Sequence, residues 1–172
     1  MKIEEKNGKF TVTDFDAVEA YVIACKIEKD GIKFYQDLLE AADDARLRET
    51  FDLLLNEEKE HLHFFENCLY AQQEHAEQDH DEDDLLSSMQ YGVFAPLHDA
   101  ERFKRAVSSP EDALKLGMVA ENRAINFYEL CKNNVSSPEV KSRLEEIIAE
   151  EQRHKDLFKS LWQQLKSGGG GV

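Results

Sequence analysis

The chain has 172 residues, of which 41% are hydrophobic and 33% are charged, and its formal net charge is −15. This length and composition predict one folded domain with a sizeable core rather than a disordered chain. The acidic charge argues against a nucleic-acid partner, because proteins that bind phosphate backbones present basic patches. The sequence contains no run of eighteen apolar residues and no secretory signal pattern, so we expect a cytoplasmic protein without a membrane span.

The first two predicted elements form a helical hairpin. We predict helix A at residues 16–42 and helix B at 44–72, each beginning at an aspartate that suits a helix N-terminus, Asp16 and Asp44. The apolar seam of helix A is interrupted near its middle by Glu28. The seam of helix B is interrupted by Glu58 and, one turn later, by His61. The short link between the helices predicts antiparallel neighbours.

A long connection follows at residues 73–108. It begins with an acidic run at 74–84, which we interpret as a solvated spacer, with a weak surface metal site as the alternative. Residues 85–107 contain enough apolar side chains to pack on a helical bundle, and we expect one short helix there. The length of the connection predicts a crossover between helices B and C, as in ferritin-like topology.

The last two predicted helices repeat the first two. Helix C is expected at residues 109–133 and helix D at 137–166, because each begins with a Ser-Pro-Glu sequence that is typical of a helix start. The segments 27–35 and 120–128 share one motif, and the segments 57–61 and 150–154 share another, both at an offset of 93 residues. This common offset indicates a duplicated hairpin. We therefore expect one domain at residues 1–166, followed by a flexible Gly-rich tail at 167–172.

The four apolar seams share an unusual feature, which is a charged or imidazole side chain near the middle of each. A carboxylate in an apolar core costs several kcal/mol unless an opposite charge lies beside it, and the seams carry no Lys or Arg. Two divalent ions would balance four such carboxylates, and Glu-x-x-His spacing lets both side chains reach one ion. Glu and His together suit iron or manganese. The sequence therefore predicts a dinuclear metal site with six ligands: Glu28, Glu58, His61, Glu121, Glu151 and His154.

Two tyrosines lie on the same seams, two turns after the single Glu of helices A and C. We interpret Tyr35 and Tyr128 either as core residues with a hydrogen bond or as groups that act beside the metals. The three cysteines, Cys25, Cys68 and Cys131, are expected to be small core residues. Further expectations are solvated or supporting carboxylates at Glu57 and Glu150, an exposed His63, and Trp162 in the core or at an interface.

The motifs at 27–35, 57–61, 120–128 and 150–154 resemble those of the rubrerythrin-like branch of the ferritin-like di-iron superfamily. The resemblance covers most of residues 16–166. It implies an all-α ferritin-like four-helix bundle, two iron ions (with manganese or zinc as substitutes) and a homodimer. It also implies reduction of hydrogen peroxide or O2, which protects a cell against oxidative stress. The residues that it carries over as ligands are the same six.

The chain departs from classical rubrerythrins in two respects. It has no Cys-x-x-Cys pair, so it lacks their rubredoxin-like iron site, and electrons are expected from a separate donor such as a rubredoxin-like protein. It also lacks their extra carboxylate one turn from Glu121, where the residues are Gly117, Met118, Ala124 and Ile125. The second departure concerns the peroxidase mechanism and leaves the six predicted ligands unchanged.

Three functions fit these ligands. The leading hypothesis is a di-iron oxidoreductase that reduces peroxide or O2 with an external electron donor. The first alternative is a ferroxidase or iron-handling protein whose substrate is Fe(II). The second is a non-enzymatic metal-binding module, in which the site mainly holds the helices together.

Overall fold

A computed structural model describes residues 2–6, 9–13, 15–43, 45–73 and 109–168 of the chain. It contains four long helices, α1 (Ala17–Ala41), α2 (Ala45–Gln73), α3 (Pro110–Asn134) and α4 (Pro138–Gly168). These correspond to predicted helices A to D, with start positions shifted by one residue. The helix ends are shifted by one or two residues. The predicted crossover with its acidic run and short helix, the Asp44 cap and residues 169–172 lie outside the described residues.

Two short strands precede the helices, β1 (Lys2–Lys6) and β2 (Lys9–Thr13), and they pair in a two-stranded sheet. The sequence analysis predicted no element before residue 16. A signal for this pair is nevertheless present, because Asn-Gly, which stands at residues 7–8, is a favoured dipeptide of hairpin turns, and the segment after it, Lys9–Thr13, alternates polar and apolar residues. The predicted set of elements therefore lacked these two N-terminal strands.

The predicted N-terminal caps are present on α1 and α3. The side chain of Asp16 accepts a hydrogen bond from the backbone N–H of Glu19 at 3.0 Å. The hydroxyl of Ser109 accepts one from the N–H of Asp112 at 3.1 Å. Each bond satisfies a backbone donor that has no partner within its helix. Since 16 + 93 = 109, the caps also follow the repeat offset.

The helices form two compact units, one of α1 with α2 and one of α3 with α4. In each unit a short link joins two helices that pack along each other, which makes an antiparallel hairpin. The first helix ends in both units with an extended residue whose N–H donates to the carbonyl four residues earlier, Ala42 to Leu38 at 3.0 Å and Val135 to Cys131 at 2.9 Å. The duplicated sequence thus gives the same hairpin twice.

Every residue of the four predicted seams is buried or half-buried. These residues are Val18, Tyr21, Cys25, Glu28, Ile32, Tyr35 and Leu39 on α1, Leu47, Phe51, Leu54, Glu58, His61, Phe65 and Cys68 on α2, Leu114, Met118, Glu121, Ile125 and Tyr128 on α3, and Val140, Leu144, Ile147, Glu151, His154, Phe158 and Leu161 on α4. The core also includes side chains beside the seams. Phe34 packs edge-on against Tyr35 with ring centroids 5.6 Å apart, and the equivalent pair Phe127 and Tyr128 does so at 5.9 Å. Such edge-to-face geometry is favourable for aromatic rings. Within the described ranges, no helix has an apolar stretch long enough to cross a membrane.

Candidate metal centre

The first hairpin brings three of the predicted ligands together. Glu28 comes from α1, and Glu58 and His61 come from α2, where their spacing of three residues places both on one helix face. One ligand atom from each of the three lies within 4.8 Å of the others. The Nδ1 atom of His61 is 3.7 Å from Oε2 of Glu28. We call these three residues the first triad.

The second hairpin contains the equivalent set. Glu121 comes from α3, and Glu151 and His154 come from α4. Their ligand atoms also lie within 4.8 Å of one another. Nδ1 of His154 is 3.0 Å from Oε2 of Glu151 and 4.0 Å from Oε1 of Glu121. We call these residues the second triad.

Both triads lie in the protein interior. The exposed fraction is 0% for Glu28, His61 and His154, and it does not exceed 6% for the other three. Among the described side chains, no Lys or Arg is buried. Each triad therefore places two carboxylates in a low-dielectric interior without a buried ammonium or guanidinium group among the described side chains, which is unfavourable in the absence of a bound cation.

The donors in each triad suit a metal ion. Metal–ligand bonds of about 2.1 Å place two ligand atoms on one ion about 3 to 4 Å apart. The Nδ1-to-carboxylate distances of 3.7 and 4.0 Å exceed the length of a hydrogen bond but fall in this range. Carboxylate and imidazole donors without thiolate are typical of iron and manganese sites. Each buried Glu/His cluster can therefore bind a metal ion.

A glycine lies directly against one carboxylate of the first triad. A Cβ atom on Gly31 would lie 2.9 Å from Oε2 and 3.2 Å from Cδ of Glu58. The sequence analysis did not identify Gly31. A signal was available, because glycine inside a helix is about 1 kcal/mol less favourable than alanine, and a close approach is a common reason for its presence.

The two predicted tyrosines are both completely buried. Tyr35 and Tyr128 have exposed fractions of 0% and pack against the phenylalanines that precede them. Burial of this kind removes the phenol groups from bulk water. It fits both interpretations in the sequence analysis, the core residue and the group that acts beside the metals.

The remaining candidates lie nearer the surface. His63 is exposed, as predicted, and its Nε2 is 3.1 Å from Nδ2 of Asn67. Glu57 and Glu150 are half-buried, and Glu150 lies 3.7 Å from Nη1 of Arg143. The indole N–H of Trp162, also half-buried, donates to Oε1 of Glu111 at 3.2 Å.

The three cysteines are free thiols. Cys25 and Cys131 are buried and Cys68 is half-buried, in agreement with the predicted packing role. Burial raises the pKa of Cys25 and of Cys131 to about 12, and that of Cys68 to about 11. A thiol with a pKa this high stays protonated at neutral pH, so it is a poor nucleophile and a poor metal ligand.

A family model described as Rubrerythrin matches residues 19–162, a range that includes both triads. The match confirms the resemblance seen in the sequence and the predicted fold class, an all-α ferritin-like four-helix bundle. The comparison with curated proteins and the comparison with solved structures each gave no match.

Proposed function

The chain belongs to the rubrerythrin family, and on that premise we propose that it is a non-haem di-iron oxidoreductase that reduces hydrogen peroxide or O2. The observation that carries the proposal is the pair of buried triads, each with two carboxylates and one imidazole. In this proposal the six residues Glu28, Glu58, His61, Glu121, Glu151 and His154 hold two iron ions. Two divalent ions balance the four carboxylates in charge.

Iron held by these residues would supply electrons by changing between the Fe(II) and Fe(III) states. The chain's own residues provide an environment for that change. The carboxylates are anionic donors that favour the more highly charged ion, and their burial excludes bulk water. Reduction of one peroxide molecule to two water molecules consumes two electrons and two protons. We propose that the buried phenols of Tyr35 and Tyr128 hold protons for this step.

The electrons have an external source in this proposal. The sequence contains three cysteines and no Cys-x-x-Cys pair, so it offers no rubredoxin-type iron site of its own. A separate donor such as a rubredoxin-like protein would restore the Fe(II) state after each turnover. We further propose that the protein is a cytoplasmic homodimer, in line with the family resemblance.

A ferroxidase is the second candidate, and the charge of the chain favours it. The formal net charge of −15 attracts cations, which suits Fe(II) as a substrate that enters and leaves. The same two triads would serve this reaction. The two candidates differ in the fate of the iron. In the peroxidase, the two iron ions stay bound. In the ferroxidase, Fe(II) is the substrate, and more than two ions are oxidised per chain.

The test is anaerobic loading with Fe(II), followed by addition of peroxide with and without a reduced rubredoxin. We expect two iron ions per chain and repeated peroxide consumption only when the donor is present. Net oxidation of excess Fe(II) without donor-dependent turnover would instead establish the ferroxidase. Binding of two iron ions without either activity would indicate a non-enzymatic metal-binding module. Uptake of fewer than two ions would contradict the dinuclear site.

A pair of variants makes this test specific. Glu121→Ala removes a buried carboxylate of the second triad, and we expect it to abolish the absorption of the oxidised iron pair together with turnover. Glu145→Ala removes an exposed carboxylate from α4 and should behave as the unmodified protein. Equal loss of activity in both variants would indicate a nonspecific effect of charge.

A further inference from the structure

The second hairpin has an open groove of about 530 Å³ along α3 and α4. Three of its lining side chains are cationic, two are amides and two are apolar, and none of them is acidic. The lining residues are Lys115, Met118, Val119, Asn122, Arg123, Asn126 and Lys155. We call this surface the cationic groove. Its sign is opposite to that of the whole chain, whose formal net charge is −15.

Lys155 connects the two helices at the cationic groove. Its Nζ donates a hydrogen bond to Oδ1 of Asn122 on α3 at 2.8 Å. The amide oxygen is neutral, so this bond fixes the position of the ammonium group without cancelling its charge. The ammonium of Lys115, in contrast, lies 2.9 Å from a carboxylate oxygen of Glu111 and 3.9 Å from one of Asp112. The charge of Lys115 is therefore partly offset, and Lys155 contributes more to the positive potential of the groove.

The first hairpin does not repeat this surface. With the offset of 93 residues, the positions of Arg123 and Lys155 correspond to Asp30 and Leu62. Three other equivalent positions carry lysines, but each of these lies beside a carboxylate: Lys26 is 2.5 Å from Asp30, Lys29 is 3.9 Å from Glu66, and Lys33 is 3.2 Å from Asp37. The cationic groove is thus a property of the second hairpin and not of the repeat.

The cationic groove lies beside the second triad on both helices. Asn122 follows Glu121 on α3, and Lys155 follows His154 on α4. The hydrogen bond between Asn122 and Lys155 therefore joins two residues that are each the chain neighbour of a predicted ligand. Neighbouring Cα atoms are only about 3.8 Å apart. Electron transfer is fastest over short distances, so this is a favourable place for an electron to enter the protein.

The dimensions of the groove favour a protein over a small anion as its ligand. Lys115 and Arg123 are 123 − 115 = 8 residues apart, which corresponds to about 12 Å along a helix. The side chain of Val119 between them is 51% exposed. An apolar centre surrounded by polar and charged groups is typical of protein–protein interfaces. Small interfaces of this kind are characteristic of transient redox complexes.

We propose that the cationic groove is the docking surface for the electron donor, and that this donor is a one-electron carrier protein with an acidic surface patch. The inference rests on the proposed function and adds the chemistry of the partner. The net charge of −15 repels an acidic protein from the rest of the chain, so attraction at the groove also orients it. Each docked donor is oxidised by one electron. Two successive dockings supply the two electrons that, with two protons, reduce one peroxide molecule to two water molecules.

Calorimetric titration of the iron-loaded protein with an oxidised rubredoxin of acidic net charge measures docking without turnover. We expect the Kd to rise with salt concentration, because ions screen the attraction. Lys155→Glu should raise the Kd by about 10-fold or more. Lys155→Arg keeps the positive charge and should restore binding. In peroxide turnover, Lys155→Glu should raise the KM for reduced rubredoxin by a similar factor.

Lys141→Glu is the matched control, because it makes the same change at an exposed residue of the same helix. It lies 155 − 141 = 14 residues from Lys155, or about 21 Å along the axis, which exceeds the screening length of about 8 Å at physiological salt. We expect its Kd to equal that of the unmodified protein. Metal analysis verifies that Lys155→Glu retains two iron ions. Lys115→Glu, which is not next to a predicted ligand, should raise the Kd independently of any effect on the metal.

The inference would be overturned if the unmodified protein did not bind the rubredoxin, if neither Lys155→Glu nor Lys115→Glu weakened binding, or if Lys141→Glu weakened it equally. The proposed function is judged separately, with the methyl viologen radical as a small electron donor that needs no docking surface. Peroxide turnover with this donor but no rubredoxin binding would refute the docking surface alone. Binding at the groove without peroxide turnover from either donor would refute the proposed function alone.

Discussion

The Nδ1 atom of His154 lies 3.0 Å from Oε2 of Glu151, one turn earlier on the same helix. Its distance to Oε1 of Glu121 on the neighbouring helix is 4.0 Å, and the equivalent distance from His61 to Glu28 is 3.7 Å. In both hairpins the imidazole is therefore close to the carboxylate of the preceding helix. Three donors from two helices converge in each case. The loss of one donor should therefore lower the affinity of the site for a metal ion.

Glu151→Gln should reduce the metal content below two ions per chain. The amide keeps the size of the side chain but is a much weaker ligand than a carboxylate, so the affinity for metal should fall about 100-fold or more. Metal analysis after anaerobic Fe(II) loading and desalting measures this. Glu145→Gln, on the exposed side of α4, should retain two ions. Two ions retained by Glu151→Gln would exclude that residue as a ligand.

Glu28→Gln should make the metal-free protein more stable by about 1 to 3 kcal/mol, because it removes a negative charge from a fully buried position. The unmodified protein at a metal concentration 100-fold above Kd should gain about 2.7 kcal/mol for each bound ion, or about 5 to 10 °C in Tm per ion. In the variant, the gain from the ion that Glu28 binds should be absent.

Thermal unfolding with and without a chelator measures both effects of Glu28→Gln. Glu40→Gln, which changes an exposed carboxylate of α1, serves as the control and should show neither. A metal-free Glu28→Gln protein that melts below the unmodified one would contradict the argument from buried charge.

Cys131 should make the protein less stable in alkaline solution. Burial raises the pKa of this thiol from 9.0 to about 12, so above pH 9 the unfolded chain releases a proton that the folded chain retains. Stability from this group is complete below pH 9 and is lost as the pH rises towards 12, at about 1.4 kcal/mol per pH unit.

Urea unfolding at pH 8 and at pH 10 tests the role of Cys131. The decrease in unfolding free energy between these values should be about 1.4 kcal/mol smaller in Cys131→Ala than in the unmodified protein. The cavity that the substitution leaves lowers the unfolding free energy equally at both pH values, so it does not affect the decrease between them. Identical decreases would show that Cys131 does not stay protonated in the folded chain.

Gly117→Ala should destabilise the protein, in contrast to Gly31→Ala. A Cβ atom at residue 117 would lie 2.8 Å from two ring carbons of Phe158, whose side chain is completely buried. A packed ring cannot withdraw as the end of a glutamate can, and such overpacking costs about 1 to 3 kcal/mol. This exceeds the gain of about 1 kcal/mol in helix propensity. Urea unfolding of the metal-free variants should therefore give opposite signs, and equal signs would refute the distinction.

Much of the fold was readable from the sequence. Caps such as Asp16 and Ser109 mark helix starts through local chemistry, and the spacing of apolar residues identifies the buried face without knowledge of the partner helix. The six candidate ligands stood out for a related reason, since a charged residue inside an apolar seam requires an explanation. The family match then confirmed the fold class.

Other features depend on contacts that a seam does not encode. The predicted seam is one stripe, whereas α1 is buried around a wider arc that includes Ala20, Ile23 and Ile27. Gly31 and Gly117 are both helix-interior glycines, yet one borders a carboxylate and the other a phenyl ring. Only the position of the neighbouring helix distinguishes these two cases, so sequence spacing could not separate a glycine beside a carboxylate from a glycine beside an aromatic ring.

The hydrogen bond from Trp162 to Glu111 joins the end of α4 to the start of α3, with the ammonium of Lys166 lying 4.1 Å from the centre of the indole ring. The chain has one tryptophan, so its fluorescence reports on the second half of the duplicated sequence alone. Circular dichroism, in contrast, averages over both halves. Coincident unfolding curves from the two signals would mean that the duplicated halves have become a single cooperative unit, and separated curves would mean that each has kept the independence of its ancestor.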